Sequence, residues 1–189
     1  MAATSPQVSM LELSMHILDV AENALEAGAT RIEISIEEDL EADRLTIRVA
    51  DNGRGMSEEF LNKVLDPFVT TRTTRRVGLG LPLFAAAARW CNGDFDIRSK
   101  EGEGTAVTAT FQHSHIDRAP LGDIKNTLLG IVLAAPEVDL RYSHRVDGEV
   151  FEFDTAEIRR QFEDVPLSHP KVREWLAEFI AEGEQRIRK

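Results

Sequence analysis

Apolar residues recur along residues 10–112 with the two spacings that distinguish helices from strands. Positions that repeat every three or four residues predict helices, and positions that alternate with polar ones predict strands. The predicted helices cover residues 10–28, 57–65 and 79–91, and the predicted strands cover residues 31–38, 44–49, 94–99 and 105–111. This order predicts an α/β (α+β) two-layer sandwich, in which a mixed, mostly antiparallel sheet carries helices on one face.

A second group of elements follows HSHIDRAP (113–120), which we interpret as a boundary. Beyond it the pattern predicts a helix, a two-stranded hairpin that turns at Asp147-Gly148, and two further helices. We therefore predict a main domain over residues 1–115. Residues 116–189 form a small α/β C-terminal extension of unknown role, which we expect to pack on the main sheet or on a partner.

Composition narrows the class of protein. The chain has 189 residues, of which 42% are hydrophobic, and no apolar run approaches the roughly 20 residues that span a bilayer. Cys91 is the single cysteine, so an internal disulfide and a cysteine-based zinc site are excluded. The net charge of −11 disfavours a nucleic-acid-binding surface. We expect a cytoplasmic protein that binds neither membranes nor nucleic acid.

Two glycine-rich loops stand out, DNGRGM (51–56) and GLGLPL (78–83). An EF-hand would need oxygen ligands where DNGRGM has Gly53 and Gly55, so calcium is excluded, although an ordinary turn is not. GLGLPL lacks the Gly-Lys-Ser/Thr of a Walker loop and the last glycine of a dinucleotide fingerprint. Its place at a predicted helix start favours an anionic ligand, and a pair of helix-packing glycines is the alternative.

A stripe of polar side chains follows one face of the first predicted helix. Its members are spaced by four, three, four and three residues: Glu12, His16, Asp19, Asn23 and Glu26. Such a stripe is usually the solvated side of a helix. An acid and an amide one turn apart can instead serve a magnesium site, because Mg²⁺ accepts an amide oxygen and keeps several waters. The carboxylate would then orient an attacking water.

Five motifs in order resemble the N, G1, F, G2 and G3 boxes of the Bergerat-fold (GHKL) ATPases. The motifs are HILDVAENALEAGAT (16–30), DNGRGM (51–56), LDPFVTT (65–71), GLGLPL (78–83) and GEGT (102–105). That superfamily includes DNA gyrase, heat-shock chaperone ATPases, sensor histidine kinases and mismatch-repair ATPases. The resemblance covers roughly residues 10–112 and implies a histidine-kinase-like ATPase domain that binds ATP and Mg²⁺.

The resemblance also implies roles for single residues. Asn23 corresponds to the asparagine that coordinates Mg²⁺, and Asp51 to the acid that accepts a hydrogen bond from the adenine amino group. Gly53 and Gly55 would let the backbone pass close to the base, and Met56 would line the base pocket.

Further implied contacts come from the other boxes. Thr105 corresponds to the hydroxyl that reaches the adenine side through water. Arg72 replaces the lysine of the F-box and would restore positive charge near the phosphates. The implied ATP-binding residues of the F-box and lid are Phe68, Thr71, Arg72, Gly78, Leu79, Gly80 and Leu81.

The motifs depart from the family pattern on the first helix. Hydrolytic branches carry a glutamate general base four residues before the asparagine, and here that position is Asp19. A shorter side chain reaches less far by roughly one C–C bond, so we expect Asp19 to be a catalytic base that gives slow turnover. Glu26 stands where many kinases carry a base that touches phosphate, and it would repel phosphate if it pointed inward.

Three functions are compatible with these features. Only about ten residues precede the first predicted helix, so we expect a stand-alone domain without a phosphoacceptor domain. We favour a slow ATPase or a kinase that acts on a separate protein, as anti-sigma serine kinases do. A non-catalytic, ATP-gated interaction module is the alternative, and a DNA-repair-type ATPase is less favoured. We expect a protein partner, and a homodimer is one option.

Overall fold

The computed structural model of the protein describes residues 12–65, 80–163 and 165–188. Within these residues one six-stranded sheet is accompanied by six helices. The helices are α1 (Leu13–Glu26), α2 (Glu58–Leu61), α3 (Gly80–Trp90), α4 (Ile124–Ala134), α5 (Thr155–Phe162) and α6 (Pro170–Arg186). The strands are β1 (Arg31–Asp39), β2 (Arg44–Asp51), β3 (Phe95–Lys100), β4 (Gly104–Gln112), β5 (Asp139–Val146) and β6 (Glu149–Asp154). In these described ranges, no helix combines the length and the hydrophobicity that a membrane span requires.

The strand order across the sheet is β3-β4-β2-β1-β5-β6. Four neighbouring pairs are antiparallel, and β1 pairs with β5 in parallel. The sheet is therefore mixed and mostly antiparallel, as the sequence predicts. Strands β5 and β6 of the C-terminal extension belong to the same sheet. The division into two domains after residue 115 stays a prediction.

One face of the sheet forms the core. Ile32, Ile34 and Ile36 alternate along β1 and are at most 2% exposed, because their side chains lie under the helix layer. Helices α1, α3 and α6 contact the strands, and α4 lies between α1 and α6. The opposite face carries side chains such as the exposed Arg48 and Arg141. The two-layer arrangement with helices on one face is confirmed.

The β5–β6 hairpin turns where the sequence predicts it. Asp147 and Gly148 have φ angles of 45° and 95°, which are the two left-handed residues of a type I′ turn. The Asp147 carboxylate also accepts a hydrogen bond from the backbone N–H of Leu40 at 3.0 Å. The turn that closes the C-terminal hairpin is thus tied to the end of β1.

A charged network lies inside the sheet-helix interface, at the end of β1 remote from Asp51. His144 of β5 is fully buried, and its ring nitrogens lie 2.9 Å from a Glu184 oxygen and 3.0 Å from a Glu38 oxygen. Tyr142 donates to Glu184 at 2.7 Å. A carboxylate can only accept, so both nitrogens carry protons and the ring is an imidazolium. The network joins α6 to β1 and β5.

The charges in this network affect each other's ionisation. Desolvation acts to lower the pKa of His144, but the hydrogen bonds to Glu184 and Glu38 outweigh it and raise that pKa above 6.5. The hydrogen bond from His144 lowers the pKa of Glu38 to about 2, against the effect of its burial. The stabilisation from His144 is complete below pH 6.5 and is lost as pH rises through its raised pKa. The stabilisation from Glu38 is present above pH 4.5 and is lost as pH falls towards 2.

We therefore expect His144→Gln to lower the free energy of unfolding at pH 6 by about 3 kcal/mol, because it removes one member of a buried charged network. The variant should also lose most of the decline in stability that we expect of the wild type as pH rises above 6.5. Urea unfolding between pH 5 and pH 9 measures both effects. His169→Asn is the matched control, since His169 is exposed at the start of α6 and asparagine preserves its capping role. An unchanged pH profile in His144→Gln would contradict the assignment.

Candidate nucleotide-binding site

A row of side chains crosses four strands at the end of β2. Asp51 is paired with Thr105 of β4, Thr105 is paired with Ser99 of β3, and Asp51 is paired on its other side with Ile32 of β1. Asp51 lies two residues beyond the buried Val49, so its side chain points to the same helix-covered face. Cross-strand register therefore brings an acid and two hydroxyls together at one end of the core.

The Asp51 carboxyl group is half-buried and already partly bonded. It accepts the backbone N–H of Gly53 at 2.7 Å. Burial raises the pKa of Asp51, and the backbone N–H groups of Gly53 and Thr105 oppose the rise. An ionised carboxylate has about four acceptor sites, so it can still accept a hydrogen bond from a ligand. The Asp51 carboxylate is therefore suited to accept a hydrogen bond from a neutral donor such as an aromatic amino group.

The neighbouring asparagine fixes the loop. The Asn52 side-chain oxygen accepts the backbone N–H groups of Thr30 at 2.9 Å and Arg31 at 2.8 Å. Its amide nitrogen donates to the Thr30 hydroxyl at 2.9 Å. Asn52 therefore anchors the loop to the start of β1, which accounts for the amide in DNGRGM.

Both glycines of this loop are required by close contacts within the protein. A Cβ atom at Gly53 would lie 2.9 Å from both the Ala27 Cβ and an Asp51 oxygen. Gly55 has a φ of 67°, and a Cβ there would overlap the carbonyl oxygen of Lys100. These contacts explain the glycines without a ligand. Their role in admitting a base to the backbone stays a prediction.

The first helix supplies an acid and an amide next to this loop. The backbone N–H of Arg54 donates to the Ala27 carbonyl at the end of α1 at 2.9 Å. One turn earlier lies the half-buried Asn23, and Asp19 precedes it by another turn. Asn23 and Asp19 therefore lie on the helix to which the DNGRGM loop is tied.

Asp19 faces the described start of α3. A Cβ atom at Gly80 would lie only 3.2 Å from an Asp19 carboxylate oxygen. Burial raises the pKa of Asp19, and the negative charge of Glu22 raises it further. A carboxylate with a raised pKa is a stronger proton acceptor, which suits a general base.

The polar stripe of α1 is not uniformly solvated. His16 is 3% exposed and stacks on Phe84 of α3 at a centroid distance of 4.7 Å. Its burial lowers its pKa to about 4, so the ring is neutral at pH 7. Glu12 accepts a hydrogen bond from the backbone N–H of Asp123 at 3.1 Å. Helices α3 and α4 cover this face, which the sequence pattern alone did not indicate.

The structure describes some of the other predicted site residues and not the rest. Met56 is half-buried beside the core. Leu81 is 5% exposed, so its side chain belongs to the core and only its backbone could contact a ligand. Asp51, Gly53, Gly55, Met56 and Thr105 come together at the ends of β2 and β4. The remaining predicted residues lie outside the described residues: Phe68, Thr71, Arg72, Gly78 and Leu79.

Sequence reasoning missed Ser99. Its hydroxyl oxygen accepts the backbone N–H of Met56 at 2.8 Å and lies 2.8 Å from the Thr105 hydroxyl. It also donates to the Gly104 carbonyl at 3.0 Å. Ser99 ends a predicted strand, where a serine carries no local signal. The register between β3 and β4 reveals its position.

Comparison with known proteins places this geometry in a family. Residues 11–115, more than half of the chain, match the model of histidine kinase-, DNA gyrase B-, and HSP90-like ATPases. The tetrathionate sensor histidine kinase TtrS of Salmonella typhimurium is 33% identical over 107 residues, which cover 54% of this chain and 18% of that protein. The DNA mismatch repair protein MutL of Xanthomonas campestris pv. campestris is 29% identical over 167 residues, which cover 68% of this chain and 26% of that protein. The chain thus spans a minor part of both relatives.

A solved structure agrees on the fold. The Aquifex aeolicus MutL ATPase domain complexed with ADP has a TM-score of 0.53 and 17% identity, over 82% of this chain and 68% of that one. At this identity the likeness supports the fold alone. The match over residues 11–115 establishes that the chain belongs to the family of histidine kinase-, DNA gyrase B-, and HSP90-like ATPases.

Proposed function

We propose that this protein binds Mg-ATP, with the adenine at the row formed by Asp51 and Thr105. The observation that carries the proposal is the half-buried Asp51 carboxyl group, which accepts the Gly53 N–H at 2.7 Å and has acceptor capacity to spare. Family membership supports it, and so does the ADP complex of the structurally similar MutL domain.

The Asp51 carboxylate would discriminate between adenine and guanine. The amino group of adenine would donate to the Asp51 carboxylate, whereas guanine presents a carbonyl at the same place. Two acceptors that face each other leave a buried group unpaired, which costs about 1–3 kcal/mol. Met56 would line the base pocket, and the Thr105 hydroxyl would hold a water against the ring.

The phosphates would lie between α1 and the start of α3. The Asn23 amide oxygen is the protein ligand that we assign to Mg²⁺. The described residues contain no group of three or more His, Cys, Asp and Glu side chains that could hold a metal ion. Mg²⁺ keeps several waters and takes other ligands from the ATP phosphates, so it needs few protein ligands. We assign the F-box and lid residues, including Arg72, to the phosphate end by their resemblance to the family motifs.

We further propose that the protein is a slow ATPase or a kinase that phosphorylates a separate protein. Asp19 supports this because its pKa is raised and its carboxylate faces the start of α3. Single-turnover release of phosphate from labelled ATP tests hydrolysis, and label transferred to a candidate partner tests the kinase. Binding with neither outcome would favour an ATP-gated interaction module.

A second candidate is a DNA-repair-type ATPase. The alignment with the MutL protein covers 68% of this chain and therefore extends into the C-terminal extension. The net charge of −11 opposes it, because duplex binding depends on cationic contacts to phosphates. Binding of DNA that weakens steeply with salt would support this candidate over the first.

Mg-ATP is expected to raise the melting temperature of the protein more than Mg-GTP at the same concentration. A ligand at 100 times its dissociation constant stabilises the folded state by about 2.7 kcal/mol. Thermal unfolding followed by circular dichroism measures the shift, and Mg²⁺ with tripolyphosphate controls for binding of the phosphates alone. Equal shifts with ATP and tripolyphosphate would contradict adenine recognition, and no shift with either nucleotide would refute the proposed function.

A further inference from the structure

Ser99 is the centre of a small hydrogen-bond network beside the proposed adenine position. Three polar atoms surround its hydroxyl oxygen: the Met56 nitrogen at 2.8 Å, the Gly104 carbonyl oxygen at 3.0 Å and the Thr105 hydroxyl oxygen at 2.8 Å. These partners come from the DNGRGM loop and from β4. No ligand contact is needed to explain the network, and it lies one strand further from Asp51 than Thr105 does.

The direction of each hydrogen bond follows from the available protons. The Met56 N–H can only donate, and the Gly104 carbonyl can only accept. Ser99 has a single proton, and the carbonyl takes it. The Thr105 hydroxyl must then donate its own proton to Ser99. With this assignment each of the three contacts is a hydrogen bond.

This assignment determines what Thr105 offers to a ligand. Its proton is committed to Ser99, so its oxygen presents only lone pairs to the pocket. The neighbouring Asp51 carboxylate is also an acceptor. The sheet side of the pocket thus accepts hydrogen bonds and donates none from these side chains. An amino group or a water proton is matched there, and a carbonyl oxygen is not.

We propose that Ser99 is a positioning residue that sets base selectivity by holding the Thr105 hydroxyl as an acceptor. The inference rests on the proposed binding of ATP and adds a residue to its specificity. A water held between Asp51 and Thr105 spends both protons on these two acceptors and offers only a lone pair to the base. Without the Ser99 hydroxyl, the Thr105 hydroxyl can instead donate to this water, which then has a proton for the carbonyl of guanine. The discrimination between adenine and guanine then depends on Asp51 alone.

The test is calorimetric titration of the full chain with Mg-ATP and with Mg-GTP. Ser99→Ala is expected to reduce the ratio of ATP to GTP affinity by about three- to tenfold, the effect of one hydrogen bond. Ser99→Thr retains a hydroxyl and is expected to keep the ratio within about twofold of the wild type. Ser99→Cys is close in volume and weakens the same bonds, so it reports the effect if the alanine variant does not fold.

A double-mutant cycle tests whether Ser99 acts through Thr105. In a Thr105→Val background, Ser99→Ala should leave the ratio of ATP to GTP affinity unchanged, because valine has no hydroxyl proton to redirect. Thr108→Ala on the opposite face of β4 is the matched control and should not alter the ratio. Equal losses of ATP and GTP affinity in Ser99→Ala would mean a structural role only and would overturn the inference. A wild-type protein that binds neither nucleotide would instead refute the proposed function itself.

Discussion

Asp51→Asn is expected to remove most of the thermal stabilisation that Mg-ATP gives to the wild type. The backbone N–H of Gly53 donates to this side chain at 2.7 Å. The oxygen of the new amide would accept this N–H, so its NH₂ group would face the adenine amino group and two hydrogen-bond donors would oppose each other. A hundredfold weaker affinity would reduce a stabilisation of about 2.7 kcal/mol to about 0.4 kcal/mol.

The measurement is the melting temperature of each variant with and without Mg-ATP. Asp96→Asn is the matched control, because Asp96 is an exposed acid of β3 on the opposite face of the sheet. That variant should respond to Mg-ATP as the wild type does. The NH₂ group that Asp51→Asn introduces also suits the guanine carbonyl, so the response to Mg-GTP should fall less than the response to Mg-ATP. If Asp51→Asn retains the wild-type increase in melting temperature with Mg-ATP, Asp51 is not the residue that recognises adenine.

Asp19→Ala is expected to abolish hydrolysis and leave ATP binding intact. A positioned general base contributes about 10²–10⁴-fold to the rate, so phosphate release should fall by that factor if Asp19 is the base. The adenine row is formed by other residues, and the dissociation constant should change little. Single-turnover release of labelled phosphate gives the rate, and calorimetry gives the affinity of the same samples.

Two neighbouring substitutions sharpen this test. Asp19→Glu restores the longer side chain of the hydrolytic branches, and we expect it to raise the rate if short reach limits turnover. Glu22→Gln removes the smaller of the two effects that raise the pKa of Asp19 and leaves the Asp19 carboxylate in place, so the rate should change little. A rate in Asp19→Ala that equals the wild-type rate would exclude Asp19 from the chemistry.

The fold class and the family could be predicted because their signals are local. Each glycine-rich motif occupies a few consecutive residues, and the alternation of Leu45, Ile47 and Val49 identifies the strand that leads into Asp51. The hairpin at Asp147-Gly148 is likewise specified by two residues that adopt positive φ. Local patterns of this kind give the elements and their order along the chain.

Contacts between distant segments could not be predicted in the same way. Ser99 acquires its place from the pairing of β3 with β4, and a serine at a strand end gives no hint of this. His144 and Glu38 occupy positions where strand alternation calls for apolar residues. Such a polar residue in an apolar position was the available signal for the buried network. Its partner Glu184 lies 40 residues further along the chain than His144, beyond the reach of any periodic pattern.

The parallel pairing of β5 on β1 has a practical consequence for truncation. A fragment cut after residue 115 would leave one side of β1 with unpaired N–H and C=O groups from Arg31 to Glu38. The same cut would uncover apolar side chains that α4 and α6 now shield. An open, hydrophobic strand edge recruits other chains into aggregates. Expression of the family-matched segment alone is therefore a poor substitute for the 189-residue chain in solubility-sensitive assays.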